Sequence, residues 1–136
     1  MSALWHFEND ALRIRKAEVG TLGNNSYVVA CRETSISIIV DAAADPDLIV
    51  GLATGTEPIA IVTTHGHADH VGAAKEVATR LRIPIRLHEA DWELCPVEPD
   101  EPLLPGNLAI GASAIGLVHT PGHTPGSMSL VTAGAV

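Results

Sequence analysis

Three histidines and one aspartate fall within six consecutive positions of TTHGHADHVGAAKE, residues 63–76. Neutral imidazole is the side chain most often used to hold a transition metal, and a carboxylate in the same cluster adds a harder oxygen ligand or a base. His65 and His67 are two positions apart, so on an extended segment both side chains point the same way, as two ligands of one ion require. Asp69 shares that parity, whereas His70, on the first turn of a following helix, points toward a neighbouring position. One tight loop can thus feed two metal positions.

A second histidine cluster, HTPGHTPGS at residues 119–127, repeats HTPG in a loop whose prolines and glycines fix the backbone. Such a loop can hold a ligand at a set distance, and the spacing leaves both His119 and His123 as candidates for the third ligand of the first ion. An isolated histidine is most often a solvated loop residue. Here an HxHxDH stretch at a strand-to-helix junction, followed by a second histidine loop, favours metal binding. His6 has no such context and is expected at the surface; His88 is expected at a strand end. Cys31 and Cys95 are far apart and form no CxxC, so they read as reduced thiols and not as a disulfide or thiolate site.

The elements that must carry these loops are legible as periodicity. LRIRKAEV (residues 12–19) alternates as a half-buried strand does, GTLGNNS supplies a turn, and YVVAC and SISIIVD form a hairpin split by RETS. DPDLIVGLA opens with helix-starting residues and predicts a short helix before the strand EPIAIVTT, which runs into the first histidine cluster. Val71, Ala74, Val77, Ala78 and Leu81 fall at helical spacing, predicting a helix of about ten residues that starts at the ligands. IPIRLH reads as a short strand, EADWEL as a helical turn, and CPVEPDEPLLPG as irregular because of its prolines. NLAIG, ASAIGLVHT and SMSLVTAGAV are three further strands, with Gly111 and Gly134 at tight turns. Strands and helices alternate early and strands dominate late, which indicates a layered mixed fold and not a helical bundle.

At 136 residues the chain has the size of one domain or a piece of one. Eight Lys and Arg against sixteen Asp and Glu leave no basic stripe for nucleic acid. No run approaches the roughly 20 apolar residues of a membrane-spanning helix, and the start, MSALWHFENDALRIRK, lacks the pattern of a signal peptide. The expectation is a soluble cytoplasmic protein acting on a small-molecule substrate. Trp5, Phe7, Tyr27 and Trp92 are too few to argue for a stacking platform for a large aromatic ligand.

THGHADH followed by HTPGHTPGS resembles the metallo-β-lactamase fold superfamily, and most nearly its glyoxalase II-type hydrolases. EVGTLGNNSYVV and ISIIVDAA resemble the family's opening strands, with Asp41 as the strand-terminal aspartate and DAA where the family usually has DPG. The resemblance implies an α+β fold, a four-layer αββα sandwich of which this chain supplies mainly the N-terminal half. It assigns His65, His67 and His123 to a first metal and Asp69 and His70 to a second, with His119 lining the loop. It implies zinc, as one or two ions, with iron and manganese as the other metals the set admits.

The activity it implies is hydrolysis by a metal-bound hydroxide, with Asp69 orienting the water and a thioester as first choice of substrate. The family completes its second metal with a bridging aspartate and a late histidine, yet residues 124–136 contain no Asp, Glu or His. Residues 1–136 are therefore read as the N-terminal part of a single domain, truncated before the bridging-aspartate segment, with self-association through an exposed sheet face. Two other readings share the same residues: a mononuclear iron sulfur (persulfide) dioxygenase, and a catalytically incomplete half-domain. The diiron oxygen-reductase branch usually carries glutamate at the position of His67, which speaks against it.

Overall fold

The first histidine loop begins at the carboxyl ends of adjacent parallel strands, and the architecture builds outward from them. The computed structural model describes residues 5–132. Its strands are β1 (Phe7–Glu8), β2 (Leu12–Val19), β3 (Asn24–Cys31), β4 (Ile36–Val40), β5 (Glu57–Val62), β6 (Ile85–Leu87), β7 (Glu101–Pro102), β8 (Gly106–Ile110), β9 (Ser113–His119) and β10 (Met128–Val131); its α-helices are α1 (Pro46–Leu52) and α2 (Ala74–Leu81). Strands β1 to β7 form one sheet in sequence order, antiparallel as far as β4 and parallel from β4 to β7. Strands β8, β9 and β10 form a second, antiparallel sheet.

Successive residues of the large sheet serve opposite faces, which divides the core in two. Val28, Ile39 and Ile61 pack against Ile49 of α1 and Val77 of α2. Their neighbours Val29, Ile38 and Val62 pack against Ile110, Ile115, Leu117 and Met128 of the small sheet. Strand β4 is covered on both faces, which is why ISIIV is almost continuously apolar and does not alternate. The layers run helix, sheet, sheet. Three of the four expected layers are supplied by the described residues. The three-stranded sheet covers only part of its larger partner and leaves an open cleft of about 510 Å³ lined by Phe7, Ile14, Tyr27, Val29, Ile115 and Leu130. Among the described residues no helix is long and apolar enough to cross a membrane.

Two expectations need correction. The helix does not start at the ligands: Ala68–His70 form a single 3-10 turn, and α2 begins only at Ala74. The chain is drawn onto the end of β4 in between, where the Ala73 N–H donates to the Ala42 carbonyl (3.0 Å). Gly72 passes so near that a Cβ there would lie 2.5 Å from the Ala43 carbonyl oxygen. The proline-rich stretch is not wholly irregular, since β7 adds to β6 as an edge strand, where the missing N–H of proline is tolerated. The short β1, paired to β2, carries no periodicity that would announce it. Gly111 takes φ +60° at the β8–β9 turn as its position requires, while Gly134 lies outside the described residues.

Candidate metal centre

The first histidine loop leaves the carboxyl ends of the parallel strands β4 and β5, the usual location of sites in open sheets with parallel strands. Strand pairing continues past β5: Asp41 N–H donates to Val62 O and Thr63 N–H to Arg86 O, both at 3.0 Å. The buried Asp41 side chain then accepts from Thr64 N–H and from the Thr64 hydroxyl, each at 2.7 Å. The same carboxylate lies 3.0 Å from His70 Nδ1. It thereby directs Nε2 of that ring inward, the arrangement by which a carboxylate orients a metal-binding imidazole. Asn24, in what reads locally as turn sequence, donates from Nδ2 to the Asp69 carbonyl at 2.8 Å and steadies the 3-10 turn.

The second histidine loop connects β9 to β10 and closes on itself. Thr120 N–H donates to Ser127 O (2.9 Å) and Gly122 N–H to Thr124 O (3.1 Å), while Met128 N–H crosses to Thr64 O (2.8 Å). His119 stands outside the clustered donors: its Nε2 lies 2.8 Å from the Pro125 carbonyl and its ring stacks on His88 at 4.2 Å. His123 lies at the exposed tip.

The two loops are joined by a residue that sequence reading passed over. Asp91, at the end of the 3-10 turn Glu89–Asp91, is 0% exposed. Its carboxylate accepts from Gly66 N–H (2.9 Å) in the first loop, and from the Thr124 hydroxyl (2.6 Å) and Gly126 N–H (2.6 Å) in the second. A Cβ at Gly126 would lie 2.7 Å from Asp91 Cγ, so the second loop needs glycine there, and one at Gly66 would make a tight 3.0 Å contact with the Asp91 carbonyl oxygen. Burial pushes the Asp91 carboxyl up, but the bonds from Thr124, Gly66 and Gly126 outweigh it and hold the group below its ordinary value. The only local sign of this role is an acidic residue in EADWEL, and nothing in that stretch points to loops 25 and 35 residues away.

Together these elements assemble two groups of donors. His65, His67 and His123 each present a ligand atom within 4.8 Å of the others, and so do His65, Asp69 and His70. His67 Nδ1 and His123 Nε2 are 3.1 Å apart. Two imidazole nitrogens at about 2.0–2.1 Å from one tetrahedral ion would be roughly 3.3–3.4 Å apart, so little adjustment separates this spacing from coordination. The His65 and His70 rings are 3.9 Å apart, centre to centre, and Asp69 Oδ2 lies 3.7 Å from His70 Nε2. Among the described residues His65 Nε2 is buried with no hydrogen-bond partner, a cost that a cation would relieve. Burial, reinforced by the neighbouring His70, lowers the proton affinity of His65 and favours the neutral, ligand-competent ring. The bond to Asp41 raises that of His70, so proton and cation compete for it. The donor set suits a divalent transition metal. All five residues singled out from the sequence converge here, whereas His119 and His88 form their own stack and His6 is exposed elsewhere.

Residues 19–135 match the family model of the metallo-beta-lactamase superfamily. The hydroxyacylglutathione hydrolase of Anaeromyxobacter dehalogenans is 36% identical over a 111-residue alignment that covers 79% of this chain and 42% of that protein. Among solved structures, the B3 metallo-beta-lactamase BLEG-1 aligns with a TM-score of 0.77 at 26% identity, over 86% of this chain and 66% of the other. TTHA1623 in a di-iron-bound form aligns with a TM-score of 0.73 at 29% identity over the same shares. The chain spans 62%, 42% and 44% of the lengths of three curated relatives.

Proposed function

The chain belongs to the metallo-beta-lactamase superfamily, and from that premise we propose that it carries the metal-holding part of a hydrolase acting on a small thioester of the acylglutathione type. The observation that carries the proposal is the pair of donor groups sharing His65, whose buried Nε2 has no hydrogen-bond partner among the described residues. The thioester rests on the likeness to a hydroxyacylglutathione hydrolase. Zinc is the metal assigned here, and the di-iron-bound neighbour makes iron the competitor to test.

Bound at these groups, divalent cations would supply Lewis acidity toward a carbonyl oxygen and lower the pKa of a water to near neutrality. The remaining work belongs to the chain. Asp69 is exposed at the open edge, where its carboxylate can orient a water and accept its proton. Asp41 keeps His70 turned inward, and the low proton affinity of His65 keeps that ring available as a donor of electrons.

Elemental analysis and thioester hydrolysis on the protein at its full native length test this reading. Zinc at about two ions per chain with turnover is expected. Asp69→Ala should stay folded and lose on the order of 10²- to 10⁴-fold in hydrolysis; near-normal turnover in that variant would remove Asp69 from the role. One iron per chain, with oxygen uptake on a persulfide, would replace the hydrolase by a dioxygenase.

A further inference from the structure

We propose that Asp91 is a positioning residue that sets the separation of the two histidine loops, so that the affinity of the His65, His67 and His123 group for a divalent cation depends on a side chain that touches none of them. The inference rests on the metal-binding reading above and adds to it a residue outside the donor groups. Each anchor of the carboxylate lies one to three residues from a donor. Gly66 stands between His65 and His67, while Thr124 follows His123 directly and Gly126 is three residues on. Displacing the carboxylate from either loop therefore moves a donor nitrogen with little chain in between to absorb the shift.

The arrangement is also costly unless it serves position. A fully buried carboxylate gives up its hydration, and among the described residues no Lys or Arg forms an ion pair with Asp91; three short hydrogen bonds take that place. The packing is close on both sides, because a Cβ at Gly126 would overlap Asp91 and one at Gly66 would press on it at 3.0 Å. The carboxylate is thus the spacer between the loops as well as their link. Asparagine has the same size but offers one oxygen. Whichever way its amide is turned, an NH2 faces the N–H of Gly66 or of Gly126, and one loop loses its anchor. Asp41 holds His70 independently, so the group of His65, Asp69 and His70 keeps its own fastening.

The test is cobalt(II) binding, followed by its visible ligand-field band and by competition with a chelator, on the wild type, Asp91→Asn and Gly126→Ala. Circular dichroism and thermal unfolding of the metal-free proteins report the fold separately. Gly126→Ala displaces the second loop with the carboxylate intact, so the inference stays testable if Asp91→Asn does not fold. The expected result is metal-free protein with wild-type secondary structure, a loss of roughly 10- to 100-fold in cobalt affinity and an altered band. A folded variant with lower thermal stability but wild-type affinity and spectrum would show that Asp91 is only a structural clasp and overturn the inference. A wild type that binds no cobalt would instead sink the metal-binding reading, and this inference with it.

Discussion

His67 leaves a strand end whose position is set by its own sheet, whereas His123 sits at the tip of a loop that comes back to the site from the other sheet. The two nitrogens end 3.1 Å apart, but they are held by different means. Around the first loop, backbone pairing runs beyond β5, Asp41 grips both Thr64 and His70, and Ala73 docks on Ala42. The second loop is held to the first by the buried Asp91 carboxylate and by one backbone bond from Met128 to Thr64. Half of the centre is therefore a continuation of the sheet, and half is a docked loop. A perturbation should cost most where both halves depend on one residue, and least where either has redundant support.

The largest effect is expected at His65, which belongs to both donor groups. His65→Ala should remove metal from both, read as loss of bound metal on dialysis, while His123→Ala should weaken only one. Equal losses in the two variants would break the contrast between a shared and a private donor. Next comes Gly72→Ala, which sets a methyl against the Ala43 carbonyl and should cost about 1–3 kcal/mol in denaturant unfolding. The cost falls on the sheet-built half, so His123 should be affected less than His70.

Acid should sharpen the comparison further. The Asp91 carboxyl is held below its ordinary value of 3.8, so the stability it lends is fully present above that pH and is lost as pH falls through its lower folded value. The advantage of the metal-free wild type over Asp91→Asn should accordingly shrink below about pH 4, as measured by unfolding at stepped pH. A difference that stays constant into strong acid would mean that the ionised form is not what joins the loops. The smallest effect is expected from Asn24→Ala, which removes a single exposed bond to the Asp69 carbonyl and should cost about 0.5–1.5 kcal/mol, with His65 and His67 undisturbed.

Much of the framework was legible because its causes are local. LRIRKAEV alternates and is β2 to the residue, and DPDLIVGLA contains α1 with its proline at the start. The HxHxDH spacing pointed to a candidate metal centre because two residues apart on an extended segment means one side of the chain. Other features have no local cause. The late start of α2 follows from contact with Ala42 and Ala43 just past the end of β4, and β7 is a strand only because β6 lies beside it.

His119 and His123 make the limit plain, since both open the same four residues, HTPG. Composition and periodicity settle what each segment is: a strand, a turn, a rigid loop rich in imidazole. Which imidazole faces His67 depends on contacts that span the chain, because His119 is spent on Pro125 and His88 while His123 is carried 56 residues back to its partner. Side-chain type and short-range spacing follow from covalent order, but the meeting of distant loops follows from sheet packing and from one carboxylate buried between them.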